Sequence, residues 1–477
     1  MKTAAKEKYP KKPLDRFSTF LSDVCTRWIP DPWVIVVLLT LVAGLLSFFL
    51  TPGGFGLEKA DTIIRGWGDG FWDLLEFGMQ MALMLLSGYV VASSPPLRRL
   101  LIWVADREAG PLRTVATVAL TSMILMWIHW GIGLIAAGIL VRYYAARNTK
   151  ADYRLLVAAA YLGMAGTFHA GMSSSVGLLL ATPGHFAEDY FGLIPMSQTV
   201  FSPFSLILVA ATIIAWTITA VRLQPSPSET VSAPRELRET LAAEFAEDEA
   251  ARKTKSDAVK AGRSPVEIIE NSRWVNMLVG ILGLVYCVLY FSSLEDGILN
   301  GLTLNSVNFI FIFVGVLMHG TPKALLTAAR TGGTFVWGIL LQFPFYAGIL
   351  GMIVASGLSE RIANFFAAIA NEFTYPIFVY WYSGILNFFV PSGGSKFALE
   401  APYLGEAAQA LNVPLDLTAI AYIWGDMSTN ALQPFWALPL LALCGLSFRH
   451  IMGFLIIFFL VTAAIGSAAF LVAPLFF

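Results

Sequence analysis

Apolar runs close to the roughly 20 residues that a helix needs to cross a bilayer recur along the whole chain. Residues 33–50, 71–92, 201–221, 274–290, 302–318, 335–355 and 451–472 are runs of this kind. The period-two alternation of a β-barrel is absent, so the pattern predicts α-helices. Four further apolar segments are interrupted by small polar residues. His129-Trp130-Gly131-Ile132-Gly133 divides 111–146 into a pair of arms, and Gly171-Met172-Ser173-Ser174-Ser175 breaks 153–183. In the second half Pro391-Ser392-Gly393-Gly394-Ser395 divides 375–408, and Gly425-Asp426-Met427-Ser428-Thr429-Asn430 breaks 415–443.

The interruptions come in the same order in both halves, and a single extra helix separates them. An odd crossing between two similar halves makes the second insert upside down. The predicted fold is therefore an all-α polytopic membrane protein of two inverted-topology repeats, each with a re-entrant hairpin and a broken transmembrane helix. Its expected parts are a cytoplasmic N-terminal segment (1–29), a first repeat (30–222), a cytoplasmic linker (223–273), a connecting helix (274–293) and a second repeat (300–477). The linker is rich in Pro, Ser, Ala, Glu and Lys. Its stretch 236–260 favours helix but has too little apolar surface for a core, which predicts a surface helix or a disordered loop.

Charge tests this topology, because Lys and Arg collect in cytoplasmic loops. With the N-terminus inside and each interrupted pair returning to its own side, the cytoplasmic segments are 1–29, 95–113, 142–154, 222–273, 320–332 and 446–450. They hold every Lys and Arg except Lys59, Arg65, Arg361 and Lys396. The arms 134–146 and 394–408 are short for a full crossing, which favours re-entrant hairpins over paired spans.

Composition agrees with this pattern. Of 477 residues 57% are apolar and 13% charged, with mean hydropathy +0.68, whereas a soluble chain carries about a quarter charged residues. The net charge of −1 says nothing about partners, because the distribution of charge matters more than its sum; the expected partners are the lipid bilayer and a small carboxylate substrate, with no nucleic acid. Cys25, Cys287 and Cys444 match no metal-ligand spacing. No zinc-protease, hydrolase-elbow or P-loop motif occurs, which argues against an enzyme and against ATP-driven transport.

Paired interruptions of this kind point to the midplane binding site of a secondary transporter. Aligning Met172 with Met427 sets Ser173, Ser174 and Ser175 over Ser428, Thr429 and Asn430. Unwound turns there would expose N–H groups to an anion and carbonyls to a cation. Gly131, Gly133, Gly393 and Gly394 at the hairpin tips would let backbone amides approach a ligand, and Ser392 and Ser395 add hydroxyls. Asp426 is the one acid at the break of a broken helix; it is a candidate for ion coupling, or alternatively a helix cap. His169 and His129 are candidates for proton coupling beside a structural role. Lys396 and Glu400, four residues apart, are expected to pair with each other. Ser174, Ser175, Thr429 and Asn430 form a candidate Na⁺ cage, so the coupling ion is open between Na⁺ and H⁺, with no other cofactor expected.

The run Val390-Pro391-Ser392-Gly393-Gly394-Ser395, together with Gly425-Asp426, Asn430 and Gln433-Pro434-Phe435-Trp436-Ala437-Leu438-Pro439, resembles the bacterial short-chain fatty acid transporter family. Leu341-Gln342-Phe343-Pro344-Phe345-Tyr346-Ala347-Gly348 is similar to a second-half span of the same family. The resemblance runs from about residue 17 to the C-terminus and is weakest in the linker. It implies membership of the ion transporter superfamily, with two hairpins and two broken helices around a midplane site. It further implies cation-driven uptake of short monocarboxylates such as butyrate or acetoacetate, a homodimer, and location in the bacterial inner membrane. Phe389, Phe397, Trp424 and Phe435 are candidates for the wall against the acyl chain.

Overall fold

The computed structural model describes residues 30, 32–107, 110–147, 150–257, 264–295 and 297–477. The expected N-terminal segment (1–29) lies wholly outside them, and Cys25 with it. Among the described residues every regular element is helical. Seven helices among the described residues are long and apolar enough to cross a membrane.

The first half begins with a span, α1 (Pro32–Leu50), a short amphipathic helix, α2 (Leu57–Asp69), a second span, α3 (Leu75–Ala92), and a second amphipathic helix, α4 (Pro95–Asp106). A helical hairpin follows, α5 (Pro111–Ile128) and α6 (Trp130–Arg147). Next comes a broken helix, α7 (Tyr153–Gly166) and α8 (Ser175–Leu180), then a single turn, α9 (Glu188–Phe191), and a closing span, α10 (Pro203–Arg222). The linker forms α11 (Arg235–Asp257) and α12 (Pro265–Glu270), and α13 (Arg273–Ser292) connects the halves.

The second half repeats the order with α14 (Leu304–His319), α15 (Pro322–Gly333), α16 (Trp337–Ala355) and α17 (Leu358–Ile369). Its hairpin is α18 (Tyr375–Leu386) with α19 (Gly393–Ala410), its broken helix is α20 (Leu415–Ser428) with α21 (Leu438–Cys444), and α22 (Met452–Val472) ends it. The amphipathic helices α2, α4, α15 and α17 escape the hydropathy pattern because they are short and carry charge on one face. In α4, for example, Leu97, Leu101 and Ala105 are buried while Arg99 is exposed.

Large apolar side chains of α1 and α13 point outward; Leu41 is 60% exposed and Leu282 70%. Such surfaces suit lipid and not water. Inside, packing depends on small residues, as between helices in a membrane. A Cβ on Gly351 of α16 would lie 2.1 Å from the Gly66 carbonyl oxygen of α2. Trp216 of α10 fills the space left by Gly166 and donates its indole N–H to the Phe458 carbonyl of α22 at 3.1 Å.

The linker is a docked element. In α11 Leu241 is fully buried, Phe245 stacks on Tyr143 with centroids 4.4 Å apart, and Glu244 pairs with Arg142. Asp152 caps α7 and also accepts from the Val231 N–H at 3.0 Å. Of the two expected alternatives, a surface helix or a disordered loop, the first is found, held by a few apolar contacts and one cap; residues 258–263 lie outside the described residues.

Gly351→Val is expected to lower the thermal stability of the detergent-purified protein by an overpacking cost of about 1–3 kcal/mol or more. Gly333→Ala, where a Cβ meets nothing within 4 Å, serves as the control. Equal melting curves for the two variants would contradict the close α2–α16 approach.

Candidate functional site

The first broken helix stops at Gly166 because the chain turns to bond with the hairpin arm α5. Thr167 leaves helical geometry and its hydroxyl donates to the Met123 carbonyl at 2.8 Å. Met172 N–H donates to Trp127 O at 2.7 Å, and a Cβ on Gly171 would lie 2.2 Å from that same oxygen. Ser173 Oγ accepts from the Trp130 N–H at 2.9 Å, so it satisfies the first amide of α6. Ser174 Oγ caps α8 through the Gly177 N–H at 3.0 Å.

In the second broken helix the triplet Ser428–Asn430 has a different place. Ser173–Ser175 lie at the N–H end of a half-helix, but Ser428 ends α20, and Thr429–Ala431 continue it as a tight turn. Ser428–Asn430 are therefore at the carbonyl end, and the expected equivalence of the two triplets fails. The break comes later, at Gln433-Pro434, since proline cannot extend the ladder.

Thr429 donates to Gly384 O at 2.9 Å. Asn387 donates to both Thr429 Oγ1 (3.0 Å) and Asn430 Oδ1 (2.8 Å), and Gln433 donates to Asn430 Oδ1 at 2.9 Å. Asn430 reaches across to the first repeat through Met164 O at 3.1 Å, while Tyr161 donates to Asn430 O at 3.2 Å. Asn387 was missed in the sequence, where a lone amide inside an apolar arm is its signal, and Gln433 entered only through the family motif and not as a site residue. The four residues proposed as a Na⁺ cage fall into two separate networks, one around Ser174 and Ser175 and one around Thr429 and Asn430.

A buried chain of charged and polar groups joins the halves. Lys396 Nζ pairs with Asp426 Oδ1 at 3.0 Å, Asp426 Oδ2 meets His169 Nδ1 at 2.9 Å, and His169 Nε2 meets Ser175 Oγ at 3.0 Å. A neutral His169 with its proton on Nδ1 donates to the carboxylate and accepts from Ser175. Lys396 also donates to Ser383 O and Oγ at 2.7 and 2.8 Å and stands 4.5 Å from the centre of the Tyr422 ring. The expected Lys396–Glu400 pair is thus replaced by Lys396–Asp426, because α20 brings a carboxylate closer than the next turn of α19 does.

Gly393 is required at the tip of the second hairpin. A Cβ there would lie 2.4 Å from His169 Cε1 and 2.8 Å from Asp426 Oδ2, so the tip rests on that pair. Tyr422 donates to Gly393 O at 2.7 Å and Trp436 donates to Pro391 O at 2.8 Å, which fixes the tip against the second broken helix. Helix α19 starts at Gly393 with no side-chain cap on Ser392, and its first backbone bond is Lys396 N–H to Ser392 O. The amides of Gly393, Gly394 and Ser395 therefore have no acceptor among the described residues, and the fully buried Ser395 hydroxyl has no partner.

The first hairpin is built differently. Its turn is the single extended residue His129, and Gly131 and Gly133 lie inside the first turns of α6. They pack on Gly88 and Met126 respectively, so they serve close approach and not an open tip. His129 is fully buried against Gly88 and Phe311 and shares none of the hydrogen bonds of the Lys396–Ser175 chain. Of the candidate wall residues, Phe397 and Trp424 are buried, Phe435 is half-buried and Phe389 is 57% exposed. Phe77, overlooked in the sequence, is the aromatic that meets Gly394.

The family model described as "Short chain fatty acid transporter" matches residues 13–473. A protein of Escherichia coli (strain K12) that carries the name of a short-chain fatty acid transporter is 38% identical over 444 residues, covering 93% of this chain and 96% of that one. One of the same name from Haemophilus influenzae is 35% identical over 473 residues, covering 97% and 100%. Among solved structures, the Alcanivorax borkumensis YdaH transporter superposes with TM-score 0.59 at 15% identity over 93% of this chain and 98% of its own. Neisseria gonorrhoeae MtrF, described within a class of antimetabolite efflux pumps, gives 0.56 at 14% identity over 96% and 97%. At these identities the two structures are evidence for the fold alone.

Removing one partner of a buried ion pair leaves the other uncompensated, at a cost of about 3–5 kcal/mol. Lys396→Met is therefore expected to lower the melting temperature markedly, and the double variant Lys396→Met/Asp426→Asn to recover part of the loss. A single variant as stable as wild type would show that the pair carries no energy.

Proposed function

The chain belongs to the short chain fatty acid transporter family, and on that premise we propose a secondary carrier that imports monocarboxylates of the butyrate and acetoacetate class. It is an integral membrane protein, and its relatives are named as transporters and not as enzymes. The observation that carries the substrate reading is the uncapped start of α19. Three unpaired amides and the unpartnered Ser395 hydroxyl converge where a helix N-terminus attracts an anion. A carboxylate there would accept from these donors, and Lys396, one residue on, adds positive charge although it is committed to Asp426. The acyl chain would lie among Phe77, Phe435 and the buried Phe397 and Trp424, a wall that suits a short apolar tail.

Transport in this reading is symport with alternating access between two inverted repeats in the bacterial inner membrane, with the N-terminus cytoplasmic. The recurring order of elements and the Lys/Arg distribution support it. Protons are favoured over Na⁺ as the coupling ion. The residues nominated for a Na⁺ cage are bound up in separate networks, while His169, Asp426 and Lys396 form one buried ionisable chain. The Ser175–His169–Asp426 order is also that of a nucleophilic triad. Here Gly393 and Gly394 press on the histidine and the serine, and the same groups serve the carrier by joining its halves. The reading includes a homodimer, for which the thinly covered α1 and α13 offer surface.

Uptake of radiolabelled butyrate into proteoliposomes is expected to exceed equilibrium under an inward proton gradient and not under a sodium gradient. Ser395→Ala should weaken butyrate uptake about tenfold, the loss of one hydrogen bond to a charged group, with unchanged amounts of protein in the membrane. Wild-type uptake kinetics in that variant would remove the carboxylate from the start of α19.

A further inference from the structure

Glu400 lies in the middle of the second hairpin and takes no part in the Lys396–Asp426–His169–Ser175 chain. It is 1% exposed, on the face of α19 that also carries Lys396 and Tyr403. Neither of its oxygens has a hydrogen-bond partner. Buried ionised carboxylates in proteins are paired or hydrogen-bonded, and Glu400 is neither.

The groups around it are already engaged. Lys396 spends its ammonium on Ser383 and Asp426. From α18, Tyr375 donates to Leu404 O at 2.8 Å, and Tyr382 shares a hydrogen bond with Tyr403 of α19 at 3.0 Å. From α20, Tyr422 donates to Gly393 O, and Asp426 is held between Lys396 and His169. Helix α16 contributes no charged side chain and one titratable group, Tyr346. On α17 Glu360 and Arg361 are exposed, α8 has no titratable group, and Glu188, Asp189 and Tyr190 of α9 belong to the far end of α19, where Gln409 donates to Tyr190 O.

We propose that Glu400 is the proton-carrying group of the carrier: it holds the co-transported proton in the state seen here and releases it on the other side of the membrane. The proposal rests on the carrier reading above and deepens it. The step is a transfer of one proton from water on the entry side to a Glu400 carboxylate oxygen, and later from that oxygen to water on the exit side. One monocarboxylate anion and one proton cross together, so no net charge moves. Tyr422 links the two events in space, since Lys396, one turn before Glu400 on α19, stands over its ring and its hydroxyl holds Gly393 at the tip where the substrate carboxylate is placed. Asp426 suits the role less well, because its charge is already compensated: Lys396 Nζ stands 3.0 Å from Oδ1 and His169 bonds Oδ2.

The test uses the full-length protein in proteoliposomes and compares butyrate accumulation under an imposed pH gradient with butyrate counterflow. In Glu400→Gln the ratio of the two is expected to fall at least about tenfold, since a group that relays protons commonly contributes that much or more. Glu406→Gln, half-buried near the end of α19, should keep the wild-type ratio. A wild-type ratio in Glu400→Gln would overturn the proposal. An infrared difference spectrum between acid and alkaline buffer gives a readout that needs no substrate. The carbonyl stretch of a protonated carboxyl should be present in wild type and lost in Glu400→Gln, and an unchanged band would overturn the proposal as well. Should the amide variant not fold, Glu400→Asp keeps a carboxyl and should keep accumulation with a displaced pH profile; an undisplaced profile would count against the role. Absence of wild-type butyrate counterflow would refute the substrate reading alone, because the infrared band still decides whether Glu400 holds the proton.

Discussion

A backbone that stops being helical inside an apolar environment must find partners for the N–H and C=O groups it releases, and the centre of this molecule is organised around that requirement. The first break is satisfied by the neighbouring hairpin: Trp127 O receives the Met172 amide, and Ser173 receives the Trp130 amide. At the second, Gln433 receives the Phe435 amide and Tyr161 donates to the Asn430 carbonyl, while the Asn430 side chain donates to the Met164 carbonyl of the first broken helix. Against this background the unpaired start of α19 is the exception. A place where donors are aimed inward and left open is where a ligand gains most from binding.

The two hairpins solve one geometric problem with opposite means. In the first, small residues let the arms touch, so that a Cβ on Gly133 would lie 2.5 Å from Met126 Cγ. In the second, Tyr375, Tyr382 and Tyr403 hold the arms apart, with Tyr375 bonded to Leu404 O and Lys396 to Ser383 O across the gap. The space between these arms admits Lys396 and Glu400, the only buried Lys and the only buried Glu among the described residues. The asymmetry separates structure from chemistry: one hairpin is packed, and the other carries the charge.

The charged chain also makes the halves interdependent. His169 belongs to the first repeat, and Asp426, Lys396 and Gly393 to the second, yet Gly393 packs so closely on the His169–Asp426 pair that no side chain fits there. Movement of the second hairpin tip therefore disturbs that pair directly. In the carrier proposed above, this contact is a physical route by which substrate at the tip and the charged chain would sense each other, with no need for a long pathway.

The all-helical membrane architecture and the family were legible in the sequence, because length, hydropathy and short motifs are local properties that need no partner to be read. The four amphipathic helices were not, since a 12-residue helix with charge on one face resembles a polar connection. Asp426, His169, Ser175, Gly393 and Ser395 could all be singled out as small or polar residues in apolar runs. Their arrangement could not: spacing favoured Lys396 with Glu400, and an aligned methionine favoured equivalence of Ser173–Ser175 with Ser428–Asn430. What a side chain pairs with depends on which distant segment arrives beside it. Asp426 and His169 are 257 positions apart, and only the packing of α20 against the first broken helix makes them neighbours and leaves Glu400 without a partner.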